Sequence, residues 1–129
     1  VDKLKRPPSA PSQTWHDSVG HHKVSITIGF IDDKPMEVFM RTNVSHATAI
    51  CERAWIEALA RSVSTGLRHG IPPEVYIEQF QGVTCIPEFT GNAALSHTVK
   101  SPTDFLAQVL KIVTNSKYVT PKLSTKDTE

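Results

Sequence analysis

The chain has only two cysteines, Cys51 and Cys85, among 129 residues. Two thiols alone cannot build a disulfide framework, and a reducing cytoplasm is the simpler setting. Charge of one sign is also missing: the formal net charge is +1. That balance gives no general electrostatic reason to bind nucleic acid or a membrane surface. No apolar run approaches the ~20 residues that span a bilayer. The opening residues, Val-Asp-Lys-Leu-Lys-Arg-Pro-Pro, carry charges without an apolar segment and are no signal peptide. The chain opens on Val1 rather than Met, so it reads as trimmed or cut from a longer protein.

Catalytic and metal-binding patterns are missing too. The six glycines never fall into a Gly-x-Gly-x-x-Gly or Walker spacing, and no Gly-x-Ser-x-Gly elbow occurs. Six histidines invite a metal reading, but no His-x-x-x-His or Cys-x-x-Cys pair exists. His21 and His22 are neighbours, and on a strand neighbours point to opposite faces. The histidines therefore read as exposed or hydrogen-bonded groups, and neither metal nor cofactor is expected. Cys51 falls on an apolar helical stripe and reads as a small buried hydrophobe. Cys85 sits in a loop and reads as a free thiol with no sequence neighbour to lower its pKa. So little catalytic chemistry points to a binder or scaffold and not to an enzyme by itself.

What the sequence does contain is a change of period. Residues 1–12 hold Pro7, Pro8 and Pro11 and read as an extended arm. Residues 13–19 suit a short first strand. Over 23–31, Val24, Ile26, Ile28 and Phe30 alternate with Ser25, Thr27 and Gly29, the period-two pattern of a half-buried strand. Asp32, Asp33, Lys34 and Pro35 supply a turn, and 36–41 resumes as a third strand. From about 45 to 69 the period becomes helical, with Cys51, Trp55, Leu59, Val63 and Leu67 every four residues. Ser45 or Thr48 suits its start and Gly70 its end. Glu57 and Arg61 are spaced for an i, i+4 ion pair. Pro73 opens a short second helix that Gly82 stops, and 83–99 is a loop without a period. Ser101-Pro102-Thr103-Asp104 reads as the capped start of a last helix, buried through Phe105, Leu106, Val109, Leu110 and Val113. The expectation is one α+β domain over 13–116, an antiparallel three-stranded meander covered on one face by a long helix and two shorter helices. A flexible tail of 117–129 follows.

The order of these segments resembles the TSCPD-type domain of the C-terminal region of adenosylcobalamin-dependent (class II) ribonucleotide reductases, also found alone in bacteria and phages. The matching segments are Arg6-Pro7, Gly20, Val24-Ser25-Ile26-Thr27-Ile28 and Asp32-Asp33. They continue as Pro35-Met36-Glu37-Val38-Phe39, Leu67-Arg68-His69-Gly70 and Ile71-Pro72-Pro73-Glu74. Departures are as informative. Where relatives carry Ser-Cys-Pro-Asp this chain has Ser101-Pro102-Thr103-Asp104, and where they carry Gly-Cys-Gly it has Gly20-His21-His22. Of the cysteines in the pattern, the loop residue Cys85 is kept.

The resemblance implies a non-catalytic accessory domain, since the radical and substrate chemistry of the reductases lies in a separate large barrel. Its partner is then the reductase catalytic subunit or a second copy of itself. The alternative is a stand-alone phage or bacterial protein that binds and sequesters a nucleotide-like small molecule. For that, Arg41, Asn43, Arg61, Arg68 and Asn92 are the expected ligand-binding residues, because arginine forks suit phosphates. A third reading, a self-assembling structural protein, follows from Trp15 and Phe89 as exposed aromatics.

Overall fold

The computed structural model describes residues 3–19, 22–43, 50–85 and 99–115. Alternation of apolar and polar residues sets the sheet. β1 (Ser12–Val19), β2 (His22–Ile31) and β3 (Lys34–Thr42) form one antiparallel sheet in the order β1-β2-β3. The β2–β3 turn is two residues long, Asp32 and Asp33, at φ 53° and 64°. Two positive φ values in sequence give the turn whose twist matches the strands it joins. Val24, Ile26 and Ile28 of β2, with Val38 and Met40 of β3, turn one way and are buried. The opposite face pairs Ser25 with Arg41, Thr27 with Phe39 and Gly29 with Glu37.

Three helices, α1 (Ile50–Arg68), α2 (Pro73–Phe80) and α3 (Pro102–Asn115), complete the expected α+β arrangement. α3 is the centre of the core. Phe105, Leu106, Val109 and Leu110 are all but inaccessible, and they share one cluster with the inner faces of β2, β3 and α1. Four such side chains contribute about 6–12 kcal/mol of burial. The start of α3 is built as its sequence indicates: Ser101 Oγ accepts the Asp104 N–H at 2.9 Å and donates to Val83 O at 2.6 Å. α2 buries no residue fully, but Tyr76, Ile77 and Phe80 pack partly against the core.

α1 also covers the outer edge of β3. Ser64 Oγ accepts the Val38 N–H at 2.7 Å and donates to Val38 O at 3.0 Å. One hydroxyl thus satisfies both backbone groups that an edge strand would leave bare. The helix ends at Gly70 (φ 97°), with Ile71 N–H on Gly66 O and Gly70 N–H on Leu67 O, as the glycine's position implies. Its buried stripe is Ile56, Ala60, Val63 and Leu67. That corrects the stripe read from every fourth residue. Four residues advance a helix by 400°, so each step drifts 40° and the row from Leu67 back to Cys51 walks round to the solvent side. Cys51 is exposed, and Trp55 is 76% exposed.

Trp15 faces the helix side opposite Ile26 and is half-buried against the core, so it is no exposed aromatic. The arm before β1 is fastened at two points: Leu4 N–H donates to Arg68 O, and Pro11 O accepts from Phe30 N–H, both at 2.9 Å. Ser45, Thr48, Phe89, Asn92 and the tail 117–129 lie outside the described residues.

Candidate functional site

Where α1 leaves the edge of β3, the two elements bound an open-sided groove of about 1160 Å³. Small-molecule sites occupy roughly 300–1,000 Å³, so the groove is large enough for one. Helical spacing builds one wall. Arg53, Glu57, Arg61, Ser64 and Arg68 recur at four, four, three and four residues, which keeps them on one flank of α1. Strand alternation builds the other, because Glu37, Phe39 and Arg41 share the outer face of β3. Arg6, carried by the arm, closes one end.

The wall carries five arginines against two glutamates. At one end Glu37, its side chain only 8% exposed, takes Arg6 Nε at 2.8 Å and Arg68 Nη1 at 3.4 Å on a single oxygen. Gly29, opposite Glu37 in register, leaves the room: a Cβ there would lie 3.3 Å from Glu37 Oε1. The Arg6 guanidinium also stands 5.3 Å from the centre of the Phe39 ring, a cation–π distance. Arg68 Nε is buried without an acceptor. Further along, Arg61 pairs with Glu57 at 2.7 Å, the i, i+4 pair that the spacing implies. Both partners are well exposed, so the pair adds no more than a few tenths of a kcal/mol. Arg41 and Arg53 have no ionic partner among the described residues.

Of the expected ligand-binding residues, Arg41, Arg61 and Arg68 meet in this groove. Asn43 does not. Its Oδ1 accepts the Lys23 N–H at 2.9 Å and its N–H donates to Lys23 O, so it closes the end of the β2–β3 ladder. It lines a smaller neighbouring depression that shares only Arg41 and Thr42 with the groove. Asn92 lies outside the described residues. Sequence reasoning missed Arg6, Glu37, Phe39 and Arg53. Arg53 was within reach, being eight residues before Arg61 on the same helix flank. Phe39 and Glu37 alternate with Val38 and Met40, which already marked them as outward-facing.

Among the described residues no three of His, Cys, Asp and Glu gather as a metal site, and no helix is long and apolar enough to cross a membrane. Cys85 is exposed, with its Sγ 3.8 Å from Lys100 O.

Fold and groove together define a small α+β domain whose concentrated polar chemistry is cationic, with donors fit to hold anions. The TSCPD domain model matches residues 2–114, and the chain belongs to that family. This is the domain found in the C-terminal region of class II ribonucleotide reductases. No solved structure matches the chain.

Proposed function

We propose that the chain is a non-catalytic accessory domain serving the assembly or regulation of a cobalamin-dependent ribonucleotide reductase, as part of one or as a free-standing relative. The observation that carries this reading is the extent of the family match, from before β1 to the last turn of α3. The match runs through all six described elements. The groove is compatible with this reading, since guanidinium forks are shaped to hold anions. The test mixes the chain with the reductase catalytic subunit from the same genome. Co-elution on size exclusion and a changed rate of ribonucleotide reduction are expected. Turnover by the chain alone, supplied with adenosylcobalamin and a dithiol, overturns the proposal, as does a subunit that neither binds the chain nor responds to it.

The arginine groove favours a second reading, a stand-alone phage or bacterial protein that sequesters a nucleotide-like small molecule. Native mass spectrometry of the protein as purified, beside its denatured mass, tests this. Extra mass of a nucleotide per site supports it, and an oligomer carrying that mass supports self-association as well.

A further inference from the structure

We propose that the β3–α1 groove seats a nucleoside polyphosphate, with the phosphate chain at Arg41, Arg53 and Arg61 and the base against Phe39. The proposal rests on the second reading above, and adds the class of ligand and its orientation.

The two walls run in opposite directions. Val38 is bonded to Ser64 and Glu37 to Arg68, so advancing along β3 means moving back along α1. From Val38 to Arg41 is roughly 10 Å of strand, which equals about seven residues of helix. That brings Arg41 opposite the turn that carries Glu57 and Arg61, with Arg53 just beyond. The groove is therefore graded in charge. At the Glu37 end two arginines share one carboxylate; at the other, three arginines stand with a single carboxylate, Glu57, which pairs with Arg61.

At the phosphate end three arginines stand against Glu57, a surplus of two positive charges, and three guanidinium groups give a phosphate chain more partners than a single phosphate can use. Guanidinium forks are suited in shape to phosphate oxygens. Arg41 and Arg53, without ionic partners among the described residues, can turn to a ligand without breaking an existing pair.

Phe39 sets the other end of the ligand. It is 44% exposed and lies two residues from Arg41 on the same strand face, roughly 7 Å away. That suits the distance from a base to the first phosphate of its nucleotide. An aromatic ring accepts any base by stacking, so this contact selects for a nucleoside and not for one base. The Arg6 side chain now over the ring is 57% exposed, so it can yield the ring face to a base while Glu37 keeps its Nε.

The experiment is calorimetric titration of the full chain, at low salt, with ATP, ADP, AMP, adenosine and inorganic tripolyphosphate. Affinity is expected to fall in the order ATP, ADP, AMP, with ATP tighter than tripolyphosphate and adenosine silent. Arg41→Ala and Arg53→Ala should each weaken ATP about tenfold or more. Phe39→Ala should erase the advantage of ATP over tripolyphosphate. Glu57→Gln releases Arg61 and should tighten ATP several-fold, a gain that a damaged fold cannot imitate. If none of these ligands binds at millimolar concentration the proposal falls, and the second reading falls with it only if the native mass of the purified protein also shows no nucleotide. Should ATP bind equally well to wild type, the two arginine variants and Glu57→Gln, the placement is wrong and the second reading survives. ATP binding no tighter than tripolyphosphate overturns the nucleoside assignment.

Discussion

Asp104 shows how much one side chain can organise. Its carboxylate accepts Gly82 N–H at 2.8 Å, Lys100 N–H at 2.9 Å and Gln108 Nε2 at 2.8 Å, and it is 3% exposed. It therefore ties the end of α2 to the start of α3. Asp104→Ala removes three charge-assisted bonds, one from the buried Gln108 and two from part-buried backbone donors, and should cost about 3–5 kcal/mol. The urea midpoint should drop with the slope unchanged, and an unmoved midpoint would show that the junction is held by something else. Asp104→Asn should recover only part of the loss, because its amide group offers donors where donors already crowd. Cys51 makes the opposite prediction to the one its sequence context suggests. Being exposed, it should react with a thiol reagent in the native protein alongside Cys85, giving two equivalents before any denaturant. A single equivalent that becomes two on unfolding would return Cys51 to the core. At this scale the sequence was legible where chemistry is local, as with the Ser101 cap and the Glu57–Arg61 pair. It was not legible for Glu37, a buried carboxylate whose partners come from the arm and from a helix thirty-one residues away.

Elements were easier to read than their settings. Three strands and three helices follow from periods of two and of 3.6 with glycine and proline at the breaks, and the structure has them in that order. The rotation of α1 about its axis was not legible, because apolar, small and cysteine residues occur all round it. What fixes that rotation is contact with its neighbours: Ser64 on the edge of β3, and Gly66 under α2. Tyr76 of α2 lies on Gly66 so closely that an added Cβ would collide with its hydroxyl and stand 2.9 Å from Cζ. Gly66→Ala thus sets two effects against each other. Helix propensity favours alanine by about 1 kcal/mol, while overpacking costs about 1–3 kcal/mol. The rigid ring edge decides the sign, and the single variant should be destabilised. In a Tyr76→Ala background the collision is gone, and the same substitution should become stabilising. A double-mutant cycle by chemical denaturation measures the coupling. Stabilisation of the wild type by Gly66→Ala would mean that α2 does not dock there.

Across the whole molecule, the charge distribution separates folding from binding. The formal charge is nearly balanced at +1, yet one groove gathers five arginines against two glutamates. Folding, resting on an apolar core, should then depend little on salt, while any anion held in the groove should depend on it strongly. A ligand at a hundredfold excess over its Kd stabilises the native state by about 2.7 kcal/mol. For a domain of this size that raises Tm by roughly 10–20 °C. We expect ATP to produce a shift of this kind at ~0.05 M salt and a much smaller one at ~0.5 M, as screening shortens the reach of the arginines. The Tm without ligand should barely move between the two. Arg41→Ala should leave that unliganded Tm unchanged, since Arg41 has no ionic partner among the described residues to lose, and should remove most of the shift. A variant that lowers both values would mark Arg41 as part of the fold and not of the site. A shift that persists at high salt would place the ligand on apolar surface, away from the groove.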